Sequence, residues 1–148
     1  MREILFRGKR VGKGEFVYGS LILAGTYCCI LESEEDAHPM DYPYLDDDLG
    51  TIDGKATPVI RETVGQFTGM EDKNGRKIFE GDIVRGMMDF GPAGMNENVV
   101  NICFDKCSGY RWQYFDLSTI EVIGNVYDNP ELLYIRISLT NIKNTMVV

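Results

Sequence analysis

Side chains able to do chemistry are sparse in this chain, and their spacing argues against most catalytic and metal-binding arrangements. The candidate soft ligands are Cys28, Cys29, Cys103, Cys107 and the single His38. A structural zinc site takes four such ligands, normally as two close pairs. Here one pair is adjacent in sequence, and on a strand its side chains would leave from opposite faces. The cysteines are therefore read as thiols with packing roles, and neither a metal nor another cofactor is expected. Asp72-Lys73-Asn74-Gly75 has the composition of a calcium loop, but the first and last ligand positions of the EF-hand pattern fall on Met70 and Gly81. It reads instead as a turn in which Asn and Gly accommodate left-handed backbone. Gly12-Lys13 is followed by Gly14, not Ser or Thr, and Arg7 stands where a phosphate loop needs its first glycine. His38 precedes Pro39 in an acidic segment, which gives a nucleophile a poor base. The acids have no apolar wall to raise a carboxyl pKa. No catalytic residue is assigned.

Binding chemistry is better represented. Tyr110, Trp112, Tyr114 and Phe115 fall on one stretch that reads as a strand; the three even-numbered rings would then share a face, with Arg111 and Phe115 on the other. Such a face serves core packing with a cross-strand ladder, or a stacking platform for a nucleobase or peptide. Asp46-Asp47-Asp48 sits in a run of acids suited to a basic partner surface, and Arg7, Lys9, Arg61 and Arg85 are candidate clamps for an anion.

The elements that must position these residues are mostly short strands. Ile4 to Arg7 and Phe16 to Ile22 flank Gly12-Lys13-Gly14 as a hairpin. Tyr27 to Leu31 is apolar nearly throughout, as suits a strand buried on both faces. From Glu32 to about Thr57 the pattern dissolves into Glu, Asp, Pro and Gly, a long polar loop. Thr63 to Gly69 and Lys77 to Phe79 flank the Asn74-Gly75 turn as a second hairpin; Gly81 to Gly86, Val99 to Phe104, Tyr110 to Phe115 and Ile120 to Val126 complete a run expected of a small barrel or sandwich. Asp128-Asn129-Pro130-Glu131 carries the cap, proline and acid of a helix start, so one short helix is expected near residues 129–133.

Four blocks in order resemble the YopX family of phage and prophage proteins: Met1 to Arg10, Phe16 to Ile22, Glu62 to Val84, and Ile120 to Leu133 with its Gly124-Asn125-Val126-Tyr127-Asp128-Asn129-Pro130-Glu131 run. The resemblance covers residues 1 to 133, with the loops at 32–57 and 87–98 and the tail as departures. It implies a mainly β fold: a small SH3-like barrel from the later strands (61–133), intertwined with an N-terminal β-rich part carrying the acidic loop (1–60), then a tail (134–148). It implies no activity that transfers to particular residues, because small barrels host many functions.

Composition narrows the partner classes. The 148 residues are 44% hydrophobic and 26% charged, an ordinary globular balance sized for one compact unit or two small lobes. No secretory signal is visible, and the longest apolar stretch, Leu21 to Leu31, is 11 residues against the roughly 20 needed to span a bilayer. A cytoplasmic protein without a membrane anchor is expected. The net charge is −8, and residues 32–53 hold nine acids and no base. That balance disfavours direct nucleic-acid binding, since only the first thirteen residues approach a basic patch. The expected function is a phage-derived accessory module, non-catalytic, that engages a protein partner through the aromatic stretch or the acidic loop. The alternatives are a receptor for a nucleotide-like anion and a nucleic-acid binder. Edge strands leave self-association open.

Overall fold

The computed structural model describes residues 1–32 and 56–134. The acidic triplet Asp46, Asp47 and Asp48, His38 and the tail beyond Tyr134 lie outside the described residues. The chain divides into two compact units, Met1–Phe67 and Thr68–Val148.

In the first unit, strands β1 (Phe6–Lys9), β2 (Phe16–Ala24), β3 (Tyr27–Glu32) and β4 (Ala56–Pro58) form an antiparallel sheet in the order β4-β3-β2-β1. The start of β5 (Gly65–Glu71) joins it beside β1, Gly65 opposite Arg7 and Gln66 opposite Phe6. Gly12 and Gly14 turn the first hairpin at φ of 80° and 72°, and the Arg10 amide donates to the Glu15 carbonyl at 2.8 Å. The hairpin expected from the glycines is thus present, with β1 starting two residues later than Ile4 and β2 running on to Ala24. Cys28, Cys29 and Ile30 are buried consecutively, so β3 is covered on both faces, as its apolar run requires. Val17, Cys28, Ile30 and Val59 make the core, with Phe6, Leu21 and Val64 against it. At Gly19 the strands approach so closely that an added Cβ would lie 1.8 Å from the Leu31 carbonyl oxygen.

In the second unit, β5 reverses into β6 (Lys77–Phe79) through the Asp72–Gly75 turn, with Gly75 at φ 79°. Strands β7 (Asp82–Asp89), β8 (Met95–Asn101) and β9 (Glu121–Asn125) form a second antiparallel sheet, ordered β8-β7-β9. Among the described residues this sheet is open, and no closed barrel is formed. The segment 87–98, read above as a loop, is largely hairpin: β7 continues to Asp89, and the Phe90 amide donates to the Gly94 carbonyl at 3.1 Å across a short 3-10 turn. Ile78, Val84, Ile102, Ile120 and Val122 form the core, with Met70, Val100, Tyr110, Trp112 and Phe115 packed on it. Removing each such side chain from water contributes about 1.5–3 kcal/mol. A short helical turn covers 131–134, following Asn129 and Pro130, whose carbonyls accept from the Leu132 and Leu133 amides. Among the described residues no helix is long and apolar enough to cross a membrane.

Candidate functional site

The site grows from the segment that leaves β8. Ile102 stays bonded to the sheet, donating to the Asp82 carbonyl and accepting from the Gly81 amide, both at 2.8 Å. The chain then makes a tight reversal from Asp105 to Gly109, closed by reciprocal backbone bonds of 3.0 and 2.8 Å, with Gly109 at φ 64°. Asp105 builds this turn itself: Oδ1 accepts from the amides of Cys107 and Ser108, both at 2.9 Å, and from the Ser108 hydroxyl at 3.0 Å. Those donors, with the nearby Arg111 charge, hold the Asp105 carboxyl below its ordinary pKa. Closing the turn makes Phe104 and Tyr110 neighbours, and their rings meet edge to face with centroids 5.4 Å apart at 76°. The Tyr110 hydroxyl donates to Glu80 at 3.0 Å.

The next residues correct the sequence reading. Tyr110 to Phe115 is not a strand: Trp112–Tyr114 is a 3-10 turn, and only Phe115 forms an isolated bridge, with Met88. The physical reason is packing. Tyr110, Trp112 and Phe115 all bury against the same core, whereas strand alternation would send Phe115 away from the other two. Trp112 lies 6.2 Å from the Tyr110 ring and 6.5 Å from that of Phe115. Tyr114 is left outside, 48% exposed.

Between this aromatic turn and the β7–β8 hairpin lies a cavity of about 500 Å³. Met88, Val100, Ile102 and Phe115 supply apolar wall, Phe90, Phe104 and Tyr114 stand exposed beside it, and Tyr110 completes the ring set. Asp105, Arg111 and Asn101 are the polar groups on its lining, which also includes Cys103. Arg111 therefore faces the same cavity as Tyr110 and Tyr114, and not the opposite side as strand alternation implied.

The structure brings together only some of the residues singled out by sequence. Tyr110 and Tyr114 line the cavity, and Trp112 packs on the core beside Tyr110 and Phe115. Arg85 lies elsewhere in the unit, paired with Glu121 at 2.9 Å and Glu97 at 3.4 Å, while Lys73 reaches Glu121 at 3.3 Å; Glu121's hydrogen bond raises the guanidinium pKa, and the cations lower that of Glu121. In the first unit Arg7 is buried with its guanidinium 4.4 Å from the Phe16 ring centre, Lys9 stands 5.4 Å from the same ring, and Arg61 donates to the Gly25 carbonyl at 3.0 Å. Sequence reasoning missed Phe90, Phe104 and Met88. The signal for Phe104 was present, because Asp105-Lys106-Cys107-Ser108-Gly109 is a turn sequence that joins its two neighbours.

Cys28 and Cys29 are buried thiols; burial, then the adjacent Cys28, pushes the Cys29 pKa up. Cys103 and Cys107 are exposed. Among the described residues no group of three or more His, Cys, Asp or Glu side chains is placed to hold a metal ion.

The fold and cavity define a β-rich protein with two antiparallel sheets and an aromatic-lined recess. The model of the family described as YopX protein matches residues 6–134, and the chain belongs to the YopX family. The crystal structure of protein EF1440 from Enterococcus faecalis has a similar fold, with a TM-score of 0.52 at 22% sequence identity, covering 90% of this chain and 99% of that one. No curated protein matches the sequence.

Proposed function

We propose that this protein is a non-catalytic binding module in which the aromatic cavity takes a large apolar side chain from a protein partner. The observation that carries the reading is the cavity itself: about 500 Å³, with Phe90, Phe104 and Tyr114 held partly exposed around an apolar floor. Exposed aromatics around a recess are the anchors that dominate protein recognition. The later strands are taken as an incompletely closed form of the SH3-like barrel, a scaffold that presents aromatic-lined grooves to peptides. The module is taken to be a phage or prophage accessory protein acting in the cytoplasm, with the net charge of −8 favouring a basic partner over nucleic acid.

The test uses the only tryptophan, which packs against two of the rings in the site. Displayed random peptides are selected on the full chain, and binding is followed by Trp112 fluorescence. Selected peptides should carry a large apolar residue beside Lys or Arg, and Phe104→Ala with Tyr114→Ala should weaken them at least tenfold. Unchanged affinity in that double variant would sink the reading. A second reading, a small-ligand receptor, is supported by the cavity volume, which falls in the range of about 300–1,000 Å³ usual for such sites. It predicts heat stabilisation by a nucleotide or aromatic acid, with loss of the shift in the same variant.

A further inference from the structure

The sheet that floors the cavity ends in β8, and the hydrogen-bond register shows which of its backbone groups look outward. Ile102 bonds to Asp82 on one end of the β7–β8 pair and Phe90 bonds to Gly94 at the other. Between them the register is unbroken, Val84 opposite Val100 and Met88 opposite Asn96. Alternation of bonded and non-bonded pairs then places the even-numbered residues of β8 in bonds with β7. The N–H and C=O groups of Met95, Glu97, Val99 and Asn101 point away from the sheet. Among the described residues β8 is an edge, bonded to β7 alone. Natural edges of this length are usually blunted by Pro, by charged side chains, Lys above all, or by a bulge. The sequence Met95-Asn96-Glu97-Asn98-Val99-Val100-Asn101 has no Pro or Lys, its one charge, Glu97, is paired with Arg85 at 3.4 Å, and its seven positions pair without a register shift. The opposite edge, β9, is five residues long, and a register shift interrupts its pairing with β7.

Resting on the proposed cavity reading, we infer that the partner binds as an added β-strand along β8, with alternate side chains directed toward the cavity. Val100 and Ile102 both line the cavity. A partner residue opposite Val100 projects its side chain from the same face of the sheet as Val100. Main-chain bonds to residues 95–101 supply register, and the aromatic recess supplies selectivity, the division of labour found in strand addition. The occupant is an extended basic segment of a protein partner. Asp89 at the hairpin end and Glu97 on β8, itself paired with Arg85, are exposed, and residues 68–134 of this unit hold eleven acids against six bases.

The experiment uses the full chain and the tightest displayed peptide from the cavity selection. Strand addition predicts that methylating the peptide's backbone amides one at a time weakens binding at every second position and spares those between. In the protein, Val99→Pro removes an outward N–H at an edge position where proline is tolerated, and should weaken the peptide at least tenfold, whereas Val99→Thr should not. Because the methylation series leaves the protein untouched, it decides the matter even if Val99→Pro fails to fold. No alternation in that series, together with loss of binding in Phe104→Ala with Tyr114→Ala, would overturn strand addition and leave the cavity reading standing. Failure to select any peptide would overturn both. A dimer in solution that Val99→Pro converts to monomer would overturn the inference by making a second copy the occupant of the edge.

Discussion

Replacing Asp72 should unlatch the second unit, because one carboxylate holds three backbone amides. Oδ1 accepts from Asn74 and Arg76 at 2.9 and 3.0 Å, closing the β5–β6 turn, and Oδ2 accepts from Val122 of β9 at 3.0 Å in a buried bond. Asp72 is 7% exposed. Burial alone would raise its pKa, but the amides of Val122, Arg76 and Asn74, with the Arg76 charge, outweigh it and the pKa is lowered. In Asp72→Ala the buried Val122 N–H loses its acceptor, at about 1–3 kcal/mol, and the two half-buried turn bonds add about 0.5–1.5 kcal/mol each. A total near 3–4 kcal/mol follows, roughly, if the bonds are independent. Asp72→Asn keeps Oδ1 but turns an NH2 toward the Val122 N–H, so about half that cost is expected. Urea unfolding followed by Trp112 fluorescence reads the second unit; with a slope of about 1–3 kcal/mol/M, the Asp72→Ala midpoint should fall by a molar or more. The pH dependence has a definite sign. A lowered folded-state pKa contributes stability that is complete above the unfolded value of about 3.9 and is lost as pH falls through the folded one. The gap between wild type and Asp72→Ala should therefore narrow on acidification below that value. A gap under about 0.5 kcal/mol at neutral pH, typical of an unremarkable surface substitution, would refute the latch.

Other expectations follow from single contacts. Gly19→Ala drives a methyl into the Leu31 carbonyl and should cost about 3 kcal/mol or more; Gly25→Ala, at φ 58° with nothing within 4 Å, should cost only about 1–2 kcal/mol, and equal melting temperatures for the two would contradict the close approach of β2 and β3. Tyr110→Phe removes the bond to Glu80 and should cost about 1 kcal/mol in the same urea assay while leaving the ring packing intact. A native thiol titration should label Cys103 and Cys107 rapidly and Cys28 and Cys29 only on unfolding, so fast reaction of all four in the folded protein would contradict the buried pair.

Much of the first unit was legible because its signals are local. Gly12 and Gly14 take left-handed angles that other residues resist, and the flanking apolar runs have strand composition, so turn and strands could be read without knowing their neighbours. The consecutive burial of Cys28, Cys29 and Ile30 likewise follows from an uninterrupted apolar run. The aromatic turn was not legible. Tyr, Trp and Phe favour strands on average, and nothing in residues 110–115 announces that three of their rings must share one core. The segment 87–98 misled for the opposite reason: its glycines and polar residues look like a loop, yet the β7–β8 pairing carries Met87 to Asp89 and Met95 to Asn98 as strand.

What the sequence determined by itself is the family, the β-rich class, the glycine-marked turns and the acidic balance, all properties of short windows or of composition. The tertiary structure alone decided which aromatics meet across a cavity, that Arg111 turns toward it while Arg85 is engaged by Glu121 and Glu97, and that β8 stands at a sheet edge. Those depend on contacts between residues far apart in the chain, such as Met88 with Phe115 and Asp72 with Val122. No local propensity encodes such pairs, because their energy appears only when the core that both partners share has formed.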